Sequence, residues 1–405
     1  MRATLGFAVV GLIGCYDGRT GGSDATIEVD ARDRGIVRVR VTGFVEKSGL
    51  AVYFQDSDSS ISLATQTNAN GEATGRLGPD GFVTLVAGFE PTLSMWTYTG
   101  VQPGDELEFF EPEAVDVETP TDSISIFAEG AGAPPFTLRT SCGGAQTIFD
   151  PLPVALPLAL CSPRVDLLLE QGQIYRYAKD VDLAKRRVDF AGAFAEYATS
   201  IVTVVDAPPA TGFVMQSLMG QGFPLERTDN FASVIDGELH VVLGLPLPAG
   251  GTVLTQVDFD DSFAQHVVDW RSATPQLELD YDAIEVARAR QVPRYDASAT
   301  SIVWTEGLGT PGDLVRATLH WLDGQHARTR SWVLIGPRGE SPVLRVPRLP
   351  VPDLVPQVEA PQTMESFVVG DQLAWLRQHM HGRWLAQGVT WPTHGDAGRV
   401  VWRSL

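Results

Sequence analysis

Residues 35–42 read Gly-Ile-Val-Arg-Val-Arg-Val-Thr. Val37, Val39 and Val41 alternate with Arg38 and Arg40, and a period of two places the valines on one face and the arginines on the other, as in a strand with one buried side. The branched side chains favour the same conformation. Moving outward, Leu50, Val52 and Phe54 continue the pattern, and Phe82, Val83, Leu85 and Val86 repeat it. Between them Asn68-Ala69-Asn70-Gly71 separates Thr65-Gln66-Thr67 from Glu72-Ala73-Thr74, a tetrad whose residues favour turns.

Gly49-Leu50-Ala51-Val52-Tyr53-Phe54, followed by Thr67-Asn68-Ala69-Asn70-Gly71 and closed by Val101-Gln102-Pro103-Gly104-Asp105, resembles the carboxypeptidase regulatory-like and transthyretin-like domains. The resemblance implies a β-sandwich over 35–112 with a structural or binding role. Residues 111–120 are acidic with Pro112 and Pro120 near their ends, the composition of a linker.

The rest of the 405 residues divides in the same way. Short strands bounded by turns predict a module over 121–186, another over 187–280 and a tryptophan-rich module over 281–405. The expected fold class is therefore all-β, in tandem sandwiches. Seven of the nine tryptophans lie in the last stretch: Trp304, Trp321, Trp332, Trp375, Trp384, Trp391 and Trp402. Trp321 and Trp332 sit in alternating apolar strands and are expected in the core. One segment has helical spacing, Val369, Leu373, Leu376 and Met380, with Asp371 near its start and Gly382 to end it. Six prolines between Pro342 and Pro361 predict an extended connector.

The N-terminus carries an address. Arg2 precedes an apolar run from Leu5 to Ile13 that is too short to span a bilayer, and Leu12-Ile13-Gly14-Cys15 closes it. This segment resembles the bacterial lipoprotein signal. The resemblance implies cleavage after residue 14, a lipid on Cys15 and a membrane partner reached through that anchor. Residues 15–34 then form a tether, with Gly18-Arg19-Thr20-Gly21-Gly22-Ser23 as its flexible part. Tyr16 stands where an aspartate would hold an enteric lipoprotein at the inner membrane, which favours the outer membrane. In an exported chain Cys142 and Cys161 are expected to pair as a disulfide closing a loop of about 20 residues. Two free thiols or half of a metal site are the alternatives.

Acidic residues outnumber basic ones 50 to 30, for a formal charge of −20, and no basic run interrupts them. That balance argues against a nucleic-acid partner. Catalytic motifs are missing: there is no His-Glu-x-x-His, Gly-x-Ser-x-Gly, Walker loop or Ser-x-x-Lys, and no cofactor is implied. Gly307-Leu308-Gly309-Thr310-Pro311-Gly312 matches the dinucleotide pattern in letters, but Val315, Ala317, Leu319 and Trp321 after it alternate as a strand, so it reads as a hairpin loop. Asp56 and Asp58 near Asn68 and Asn70, and Asp258 with Asp260 and Asp261, read as surface turns rather than calcium loops.

Two candidate sites remain. Trp384 and Trp391 lie among Gly382, Arg383, Gly388 and Pro392, a loop setting that leaves aromatic faces open to a ligand such as a glycan. His379, His381, His394 and Asp396 could gather round a metal if the histidine pair lay on a strand. The expected function is a lipid-anchored envelope protein that binds a glycan or another envelope protein, or serves as structure. The alternative is an exported hydrolase, possibly glycan-directed, with its site in the C-terminal module.

Overall fold

A computed structural model describes residues 34–42, 47–88, 92–110, 123–141, 145–157, 164–220, 223–260, 265–323, 328–339, 341–350, 356, 358–369 and 397–405. Over the described residues the chain is all-β, with several sheets and almost no helix. Strand β1 (Gly35–Thr42) buries Val37, Val39 and Val41 and exposes Arg38 and Arg40, as its alternation requires. The first group of strands continues with β2 (Ala51–Gln55), β3 (Ile61–Gln66), β4 (Glu72–Leu77), β5 (Gly81–Ala87), β6 (Thr92–Val101) and β7 (Glu106–Phe110). The turn between β3 and β4 is the Asn68 tetrad: Asn68 Oδ1 accepts from the N–H groups of Asn70 and Glu72, and Gly71 takes φ of 78°, which a side chain disfavours.

A second group comprises β8 (Ser123–Ala128), β9 (Phe136–Thr140), β10 (Ala145–Ile148), β11 (Val154–Pro157), β12 (Arg164–Gln171), β13 (Ile174–Asp182), β14 (Arg187–Phe190) and β15 (Ala195–Glu196). The third comprises β16 (Ala198–Val205), β17 (Thr211–Gly220), β18 (Phe223–Ser233), β19 (Leu239–Leu245), β20 (Thr252–Phe259), β21 (Gln265–Ser272) and β22 (Gln276–Asp280). A single helical turn, α1 (Tyr281–Ile284), leads to β23 (Ala289–Asp296), β24 (Ser301–Glu306), β25 (Leu314–Asp323), β26 (Arg328–Pro337), β27 (Val343–Arg345), β28 (Thr363–Val368) and β29 (Gly398–Ser404).

These groups are four two-layer units, I to IV, and they repeat one strand order. In unit I, β4-β1-β7 faces β3-β2-β5-β6; in II, β11-β8-β14 faces β10-β9-β12-β13; in III, β19-β16-β22 faces β18-β17-β20-β21. Numbering strands within each unit, all three read 4-1-7 against 3-2-5-6, and strands 1 and 7 are parallel each time. Because β14 pairs with β8, residues 187–196 belong with unit II rather than with the module expected from 187 onward.

Unit IV varies the theme. Its long layer, β26-β25-β28-β29, is again 3-2-5-6, and β27-β24 supplies 4-1. The position of strand 7 is taken by β23, which precedes strand 1 and pairs with it antiparallel.

The long layers of III, IV and I join edge to edge into one twelve-stranded sheet. At one seam β21 of III meets β29 of IV antiparallel; at the other β26 of IV meets β6 of I in parallel. Each seam is drawn tight by a glycine. A Cβ on Gly398 would collide with the Trp270 ring, and one on Gly336 with the Thr99 hydroxyl. Both seams also bury polar groups that find partners. Trp332 of IV donates its indole N–H to Thr97 Oγ1 of I at 2.8 Å, and Thr97 lies 2.8 Å from Thr84 Oγ1. Arg403, fully buried, donates to the Val286 carbonyl at 3.0 Å and to the Tyr281 hydroxyl, fixing the III–IV connector.

Trp321 and Trp332 are core residues, 6% and 1% exposed, as their strand context implies. Of the segment expected to be helical only Val369 lies within the described residues. No helix among the described residues is long and apolar enough to cross a membrane.

The buried seam gives a test. Replacing Thr97 with Val keeps shape but orphans the Trp332 N–H, so denaturant titration should show a loss of about 1–3 kcal/mol. An unchanged midpoint would mean that the indole finds another acceptor.

Candidate functional site

Cys15, Cys142, Cys161, His379, His381, Trp384, Trp391, His394 and Asp396 all lie outside the described residues. The other motifs can be placed. The segment 307–312 runs from β24 into strand β25, not into a helix. It clasps the III–IV connector: Gly307 N–H donates to Arg288 O at 2.6 Å, Thr310 N–H to Glu285 O at 2.7 Å, and Ala287 N–H to Thr310 O at 2.8 Å.

Asp56 accepts from Arg34 at 2.6 Å and from the Gly78 N–H at 2.8 Å, and Asp58 accepts from the Ser60 N–H at 2.8 Å. Hydrogen bonds from Ser60 hold the Asp58 carboxyl below its ordinary range. Asp258 is engaged by His266 Nδ1 and by Gln256, each at 2.7 Å. Among the described residues no group of three or more His, Cys, Asp or Glu is placed to hold a metal.

Two places in the fold offer more. A cleft of about 940 Å³ opens at one end of unit II between the segments 127–132, 151–153 and 187–192. Its walls are largely main chain, proline and small side chains, with Phe127 and Phe190 as the aromatic part. The Arg187 guanidinium lies 4.0 Å over the Phe127 ring and grips both Asp189 oxygens, at 2.8 and 2.9 Å. That grip holds the Asp189 carboxyl below its ordinary range. Behind this wall Arg176, 5% exposed, donates to the carbonyls of Phe190 and Glu129 and fixes the two backbone segments. Among the described residues the cleft's charged lining groups are Glu129, Arg187 and Asp189, and the lining holds no His, Cys or Ser.

The second place is the contact between units II and III. Leu168 and Tyr175 of II pack against Leu218 and Leu225 of III, with Tyr177 and Tyr197 beside them. Within this apolar patch Arg139 of β9 reaches two carboxylates. Its Nε donates to Glu170 Oε2 at 2.6 Å, and its Nη2 lies 2.7 Å from Glu226 Oε2 of unit III, off the N–H axis. Tyr197 donates its hydroxyl to the other Glu170 oxygen.

Two acids share one cation here, and Glu226 bears the consequence. Burial, then the nearby Glu170 charge, push its carboxyl up to about 7, against the pull of Arg139. Burial and the Glu170 charge likewise push the Tyr197 hydroxyl far above its ordinary range. Sequence reasoning missed this cluster because Arg139, Glu170 and Glu226 are far apart along the chain. The one local trace is an acid set beside apolar Leu225.

No family model and no curated protein matches the chain. Among solved structures, "The Bacillus anthracis TIE protein" aligns at 10% identity over 61% of this chain and 50% of that one, with a TM-score of 0.15. The alignment spans half the length of that protein, and at this score it carries no argument.

The sign of the Glu226 shift fixes a prediction. Undocked, its carboxyl returns to the ordinary range near 4.5, so the docked state binds the extra proton. Docking of II on III should be strongest below about pH 4.5 and weaken as pH rises through about 7. Amide exchange in Leu218–Glu226 should speed up more than intrinsic chemistry requires between these limits. Glu226→Gln should flatten that dependence; a dependence that survives the substitution would place the titrating group elsewhere.

Proposed function

We propose that this chain is a lipid-anchored protein of the bacterial cell envelope with a binding or structural role. The observation that carries the reading is the twelve-stranded sheet, which joins three units into one body by continuous main-chain pairing. Such a body suits holding and presenting a surface. The lipobox residues Leu12-Ile13-Gly14-Cys15 and the Gly/Ser tether after them support the anchor. Tyr16 supports the outer membrane.

The Gly49–Phe54 and Thr67–Gly71 segments support a transthyretin-like or carboxypeptidase regulatory-like sandwich for unit I. The shared strand order extends whatever type unit I has to II and III. The cleft of unit II, with its aromatic, main-chain and ion-paired walls, supports binding of a glycan or an envelope protein over catalysis.

Cells fed a radioactive fatty acid should label the protein, and Cys15→Ala should abolish the label. Label that persists in the variant, or none in the parent, would remove the anchor from the reading.

A further inference from the structure

The two ends of the twelve-stranded sheet differ in a way that points outward. At one end β18 carries Pro224, Glu226, Arg227 and Asp229, and Arg139 of unit II covers Glu226. Charges and proline are how natural edge strands avoid pairing with another chain. At the other end β3 reads Ile-Ser-Leu-Ala-Thr-Gln, with neither a charge nor a proline, and Ile61 and Leu63 are 42% and 38% exposed. A bulge near its start is tied back by the Ser62 hydroxyl, which donates to the Arg76 carbonyl of β4. Leu63–Gln66 beyond it is regular, in register with Phe54 to Ala51.

The same sheet shows what such edges do. In unit IV the strand equivalent to β3 is β26, and it is covered by β6. At the III–IV seam two equivalent strands, β21 and β29, pair like with like and antiparallel. We propose that β3 is a self-pairing edge, through which two copies of the chain join β3 to β3 antiparallel about a two-fold axis and continue the sheet. A second copy is the occupant the chemistry favours, because an uncharged strand meets itself without repulsion and an isologous contact closes at two. Each copy carries a formal charge of −20, so salt should tighten the pairing.

Sedimentation velocity on the full chain from about 1 to 500 µM covers the range expected of so small a contact. A monomer–dimer equilibrium is expected, tightened by salt, with Leu63→Lys raising Kd at least tenfold at an unchanged melting temperature. Amide exchange on the unsubstituted chain should show Leu63–Gln66 growing more protected as concentration rises, and that measurement decides alone if the lysine variant does not fold. A monomer throughout would overturn the proposal, as would a dimer that tolerates Leu63→Lys or leaves the β3 amides unchanged. Protection that appears only with another envelope component would assign the edge to that partner and also overturn it.

Discussion

An open sheet leaves N–H and C=O groups unpaired along each outer strand, and burying them against another unit is possible only if the main chain there is satisfied. Three of the four units meet this constraint by setting strand beside strand. Side chains then follow the backbone. Gly336 and Gly398 stand where a Cβ would strike a side chain of the strand paired across the seam, Trp332 finds Thr97 across one seam, and Arg403 finds Val286 and Tyr281 beside the other. The apolar cluster of unit I runs on beneath the seams to Leu254, Val268, Trp270, Phe367, Val400 and Trp402, so burial and main-chain pairing reinforce each other.

Unit II is joined differently. It has its own five-stranded sheet and meets III through side chains, with a small apolar patch and the Arg139, Glu170 and Glu226 cluster. Side-chain contacts can open and close without breaking a ladder of main-chain bonds, and a carboxylate that gains a proton near neutrality makes that contact sensitive to pH. The cleft lies in this same unit. Among the described residues, the unit that carries the cleft is thus also the one that shares no sheet with its neighbours.

Much of this was legible in local pattern. Val37, Val39 and Val41 declared a strand, Trp321 and Trp332 declared a core, and the alternation after Gly312 spoke for a strand in place of a nucleotide-binding helix. The shared strand order was not legible, because 4-1-7 against 3-2-5-6 is a property of pairing and the units satisfy it with different residues. Unit II shows the cost: Arg187-Val188-Asp189-Phe190 looks like any short strand, and only its parallel partner β8 says where it belongs. The ion cluster was hidden for a related reason, since a charge on an alternating strand looks solvated until its partners are known. Trp384, Trp391 and the His379 to Asp396 group lie outside the described residues, so the fold bears on them only through the strands on either side, β28 and β29.

Those two strands sit in the middle of the long sheet, and this decides how the chain must assemble. Units follow one another in sequence as I, II, III, IV, but along the sheet the order is III, IV, I. The last unit is therefore the link between the first and the third, and the Trp332 to Thr97 bond closes a separation of 235 residues. Before IV forms, β6 and β21 are both open edges, exposed to wrong partners while the chain is incomplete. In unit IV the strand-7 position is taken by β23, which precedes strand 1, so that position is supplied from the side on which the chain arrives from III. The unit that departs from the common order is also the one that closes both seams, and the departure ties its short layer to the III–IV connector.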